Sequence, residues 1–257
     1  MAKWTPFPYA GDYEFDAASL KKNWARLHTG DCEPPPKEAA VLQAWVLFHN
    51  GEFQQAADAG IKAGGHGITV ANKAASIYAN YLEKKEKTKL ELFMEVAGRA
   101  EAQQAVDPKN PNAWYWQAYA LGRYSQGISV AKALAQGLGG KVKQSLEQAI
   151  KLCPKHADAH IALAAFHAEV IDKVGSLIGG MTYGAKKDTG MALFREALKL
   201  NPGSAIAMME HANGMVMLEG DKKMKDATKL YEQAAATKPL DATERLDVEM
   251  AKAELED

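Results

Sequence analysis

The chain has 257 residues, with 31 Lys and Arg against 32 Asp and Glu and a formal net charge of -1. Hydrophobic residues are 47% and charged residues 25%, which excludes disorder throughout, and the even charge balance argues against a nucleic-acid partner. The two cysteines, Cys32 and Cys153, cannot supply a disulfide framework or an all-cysteine zinc site.

No apolar run follows Lys3, so no secretory leader is expected, and no window approaches the length of a membrane span. The expectation is a cytoplasmic protein with reduced thiols. Residues 17–28 read as one short helix ended by Gly30, and Pro34, Pro35 and Pro36 set this N-terminal segment, 1–36, apart from the rest of the chain. From residue 37 onward strand signals are nearly absent, and strong helix formers dominate.

That helical stretch repeats itself. Ala44, Leu47, Gly51, Ala56 and Ala63 place small residues at recurring positions, and Ala75 with Tyr78 repeats them. Ala100, Gln103 and Pro108 form a weaker copy of a spacing kept by Leu146, Ala149 and Pro154. Two full copies come later: Gly190, Phe194, Ala197, Pro202, then Ala227, Tyr231, Ala234, Pro239. Past three of the prolines, a large residue precedes a small one by four: Trp114 and Ala118, His160 and Ala164, Met208 and Ala212. A small residue at that spacing lets two helices approach closely, and the proline stops the second helix of each pair.

These residues resemble the tetratricopeptide repeat (TPR) family, whose unit is a helix–turn–helix of about 34 residues. The resemblance implies an all-α fold, a TPR-like α-solenoid of about twelve helices in antiparallel pairs, forming a right-handed superhelix over residues 37–239. Residues 240–257 would cap it with one helix, begun by a capping-box-like Asp241 and Glu244. The sequence departs from the family in its repeat length: the closing prolines lie 46, 48 and 37 residues apart. The surplus falls in two apolar, glycine-rich inserts, residues 124–140 and 174–187, which read as helices that overrun and cross over at glycines. Elongated units of this kind resemble those of the regulator-of-microtubule-dynamics proteins, and also the T-component of TRAP transporters, which is an exported lipoprotein.

Chemistry is sparse. His156 and His160 stand at i and i+4, with His167 further on, but His160 fills a packing position of the repeat and no third ligand has metal-site spacing. Gly137, Gly140 and Lys141 lack the preceding glycine and following Ser or Thr of a phosphate loop, since Ala135 and Val142 stand there. Neither cysteine has a base nearby in sequence. No enzyme activity, cofactor or metal is therefore expected.

The functional expectation is a protein-interaction scaffold that binds a protein or peptide segment on its concave face. In the TPR register that face carries Val41, Trp45 and Phe48, then Tyr115, Tyr119 and Arg123, then Ile161 and Glu169, then Met209, Asn213 and Met217. The Lys and Asn clamp that some family members use for chaperone C-termini is not expected, because Val41 and Trp45 occupy its positions. Two alternatives stand beside this reading. The same residues could be core, or be covered by the N-terminal segment through Trp4, Phe7 and Tyr9. The apolar inserts could also serve a small-molecule or lipid carrier, or a self-association patch giving a homodimer.

Overall fold

The computed structural model describes residues 3–256, and among them every regular element is helical: fourteen α-helices, one 3-10 turn and no strand. The chain divides into two compact units. Unit one holds residues up to 28, 33–152 and 240–243, and unit two holds 29–32, 153–239 and 244 onward.

Unit one opens with an extended segment and α1 (Ala17–Leu27). Asp16 starts that helix, accepting from the Ser19 N–H at 2.7 Å, while the Ser19 hydroxyl accepts from the Asp16 N–H at 2.9 Å, a reciprocal cap that satisfies two orphan donors. Three helix pairs follow: α2 (Ala39–His49) with α3 (Phe53–Ala63), α4 (Gly67–Tyr81) with α5 (Glu86–Val106), and α6 (Pro111–Gln126) with α8 (Leu138–Leu152), the short α7 (Val130–Ala135) lying between the last two. The first helices α2, α4 and α6 pack on one another in succession. At the α3–α4 crossing, backbone meets backbone: a Cβ on Gly60 would stand 2.5 Å from the Gly67 carbonyl oxygen, so only glycine fits there.

Unit two contains α9 (Ala157–Val174), α10 (Ser176–Tyr183), α11 (Lys187–Leu200), α12 (Ala205–Glu219), α13 (Met224–Ala235) and most of α14 (Ala242–Glu256). The repeat residues sit where their size requires. Ala197 is fully buried against Ile161 and Ala207, Phe194 against Ala164 and Ala168, and Ala234 against Ala205, Met209, Val248 and Ala251. A Cβ on Gly214 would collide with the Phe194 ring. Helices α5, α8 and α11 each end two residues before their closing proline, and α13 ends four before Pro239. Proline has no N–H to continue the ladder.

The two helices beyond the expected twelve are α7 and α10, and both lie in the inserts. Helix α6 stops at Gly127 instead of overrunning, and Gly137 at φ +64 turns the chain into α8. Helix α9 does overrun, to 18 residues. Gly175 at φ +79 then breaks it, and left-handed Gly184 ends α10. Glycines in the left-handed region cost little and end helices readily, so each extension becomes a separate short helix. Helix α10 folds back on α9, with Gly179 against the Val170 side chain and Tyr183 edge-on to Phe166 at 6.2 Å. No helix among the described residues is long and apolar enough to cross a membrane.

Candidate functional site

The first three groove positions of unit one are interior. Val41, Trp45 and Phe48 are 3%, 0% and 0% exposed, which agrees with the alternative in which these residues are core and not with an accessible groove. The reason is cover from α1: Trp24 meets Trp45 edge-on at 5.8 Å, and the His28 ring meets it at 4.7 Å. The Lys73 ammonium lies 5.5 Å from the Trp45 ring and 5.2 Å from that of Phe48. The N-terminal segment binds the same unit along its length. Trp4 stacks on Tyr78 at 4.2 Å and its backbone N–H donates to Gln54 Oε1 at 3.0 Å. Phe7 is buried against Phe53 and the bare backbone of Gly51. Phe15 and Asn50 exchange two hydrogen bonds at 2.7 and 3.0 Å.

Helix α6 is different. Tyr115 is buried, but Tyr119 and Arg123, one turn apart, are half-buried. Tyr119 rests among Phe93, Tyr115 and Trp116, with ring centroids at 6.5, 6.1 and 5.3 Å. The Arg123 guanidinium covers the Tyr119 ring at 5.4 Å and donates to Gln126 Oε1 at 3.2 Å. A guanidinium over an aromatic face is held by the ring quadrupole, worth about 0.5–1 kcal/mol at a partly exposed site.

In unit two, Ile161 and Met209 are core at 6% and 2% exposure. Burial again takes two expected groove side chains into the packing between helices. Glu169 is half-buried and pairs with Lys173 at 3.6 Å. Asn213 and Met217 are exposed, and Asn213 accepts a hydrogen bond from the Tyr231 hydroxyl. Burial, helped by the Glu254 carboxylate, pushes the Tyr231 phenol up to about 12, so it remains a donor at neutral pH.

The histidines considered as metal ligands have backbone roles. His156 Nδ1 caps α9 by accepting from the Ala159 N–H at 3.1 Å, His160 Nδ1 lies 2.9 Å from the His156 carbonyl oxygen, and His167 Nδ1 accepts from the Lys186 N–H at 3.1 Å. The two cysteines, far apart in sequence, come together within unit two. Burial and the second thiol push the Cys32 thiol up to about 12, the reverse of what an activated nucleophile needs.

Sequence reasoning missed one polar cluster. In unit one the buried His49 bonds Asp241 through Nδ1 at 2.6 Å and faces His28 Nε2 through its own Nε2 at 3.3 Å. No local pattern marks a partner 192 residues away.

No curated protein matches this sequence significantly. The solved structure of a TPR protein from the thermophile Thermus thermophilus is similar, with a TM-score of 0.58 at 15% identity, over 83% of this chain and 97% of that one. This likeness establishes a TPR-like helical-repeat fold. The family model described as regulator of microtubule dynamics protein 1-3 matches residues 49–257, from the end of α2 through the last helix, and on that match the chain belongs to the regulator of microtubule dynamics protein 1-3 family.

Proposed function

We propose that the chain is a non-enzymatic protein-interaction module acting in the cytoplasm, and that its first helices hold a protein or peptide partner. In unit one the anchor is the Tyr119–Arg123 pair of α6, with Tyr115 beneath it. In unit two the polar contacts come from Glu169 and Asn213. Trp45, Phe48, Ile161 and Met209 act as the packed base of these faces rather than as contact residues.

The observation that carries this reading is the half-exposed Arg123 stacked over Tyr119 on a bed of buried aromatic rings. Aromatic and arginine side chains on a rigid support are the residues enriched at interface hot spots. The raised Cys32 thiol and the structural roles of His156, His160 and His167 favour a binding role over catalysis. The short insert helices favour it over a carrier: Leu134 of α7 and Leu177 and Met181 of α10 are 47%, 74% and 82% exposed, instead of enclosing a ligand. Self-association through that surface is the homodimeric form of the same reading. Affinity capture of the intact chain from its native cell, read by mass spectrometry, tests the proposal. One stoichiometric protein is expected, and a co-purified small apolar ligand with no protein partner would favour the carrier.

A further inference from the structure

A cleft of about 440 Å³ opens within unit two between α11, α12 and α13. Two second helices, α11 and α13, and the first helix α12 line it, and it uses none of the residues assigned above to partner binding. At its base lies His211, 9% exposed, with its ring stacked on Phe194 at 5.2 Å. Both imidazole nitrogens are buried without a hydrogen-bond partner. Buried polar groups are nearly always satisfied, and an orphaned one costs free energy, so His211 has unused bonding capacity.

The charges around it are unequal in their engagement. Lys223 pairs with Asp226 at 3.0 Å, and Glu219 with Lys187 at 3.2 Å. Arg195 of α11 and Lys229 of α13 line the same cleft, and no ion pair among the described residues engages either. Met191, Met215 and Leu230 supply apolar wall.

We propose that this cleft binds a peptide carboxylate: an aspartate or glutamate side chain of a partner protein, presented between apolar residues. The carboxylate would accept from a His211 ring N–H and from the Arg195 guanidinium, with Lys229 adding charge from the other side. A charge-assisted bond of this kind is stronger than a neutral one. The flanking residues would rest on Met191, Met215 and Leu230. Glu219 and Asp226 at the rim disfavour a more highly charged anion, which selects a carboxylate over a phosphate.

The intact chain is titrated with a short labelled peptide alternating leucine and glutamate, and with its leucine–glutamine counterpart. The glutamate peptide should bind saturably and the glutamine peptide about tenfold more weakly, the size of one lost charge-assisted contact. Arg195→Gln and His211→Phe, the latter keeping a ring against Phe194, should each weaken the glutamate peptide by a similar factor with the melting temperature retained. In the wild-type chain the His211 ring nitrogen resonances should move on adding the glutamate peptide and not the glutamine one, a readout that stands even if His211→Phe fails to fold. Equal binding of both peptides, no saturable binding of either, unmoved His211 resonances, or full affinity in Arg195→Gln would each overturn the proposal.

Discussion

His49, the last residue of α2, and Asp241, which precedes α14, meet Nδ1 to Oδ2 at 2.6 Å across 192 residues of chain. Both side chains are buried. With Asp241 ionised its oxygen can only accept, which makes His49 Nδ1 the donor of this bond. The pair ties the return of the chain at residues 240–243 into unit one. Asp241→Ala leaves a buried donor without its acceptor and should cost about 1–3 kcal/mol, measured by urea denaturation. A change within about 0.5 kcal/mol, as for ordinary surface substitutions, would show that the contact does not hold the fold.

Ala197 sits fully buried between Ile161 and Ala207. Ala197→Leu adds volume where helices touch and should cost about 1–3 kcal/mol. Thermal unfolding followed by circular dichroism checks this, and an unchanged melting temperature would contradict the repeat register.

Phe7 anchors the N-terminal segment on unit one at 5% exposure, against Phe53 and Gly51. Phe7→Ala should destabilise by about 3–5 kcal/mol, as deletion of a buried aromatic does. Hydrogen exchange at the N–H groups of Trp4 and Phe15, bonded to Gln54 and Asn50, should accelerate in the variant. If protection persists, the segment is held independently of Phe7.

Burial, reinforced by the Arg195 charge, lowers the His211 pKa below its ordinary value of 6.5. The charged groups around it are Arg195 on α11, Glu219 on α12, Lys223 beside it, and Asp226 and Lys229 on α13. Above the unfolded pKa the ring is neutral in both states, and the difference in proton binding vanishes. As pH falls below about 6.5 the unfolded chain takes up a proton that the folded chain resists. Stability should therefore decline with falling pH through that window, and the decline should shrink in His211→Phe. Identical pH profiles for variant and wild type would contradict the lowered pKa.

The repeat architecture was legible because its marks are local. A closing proline and a small residue at a helix crossing, such as Ala197 or Ala234, act at their own positions. The burial of Trp45 and Phe48 was left open by the sequence, which fitted a groove and a core equally. Helix α2 buries Val41, Leu42, Ala44, Trp45, Val46, Phe48 and His49, and a helix apolar on nearly every side has no periodicity to reveal an open face. The division of the inserts depended on Gly175 and Gly184 adopting left-handed backbone. Glycine permits that conformation without requiring it. The unsatisfied nitrogens of His211 and the His49–Asp241 pair arise from tertiary packing alone.

The central claim is that the chain holds a protein partner through α6, and Tyr119→Ala tests it most directly. Partner capture from the native cell and the melting temperature are measured on the same variant, with Arg123→Ala beside it. The account predicts that both variants lose the stoichiometric partner retained by the wild type while melting within a few degrees of it. Capture undiminished in both variants, or a Tyr119→Ala protein destabilised by about 3–5 kcal/mol as a core aromatic would be with no specific binding defect, would contradict it.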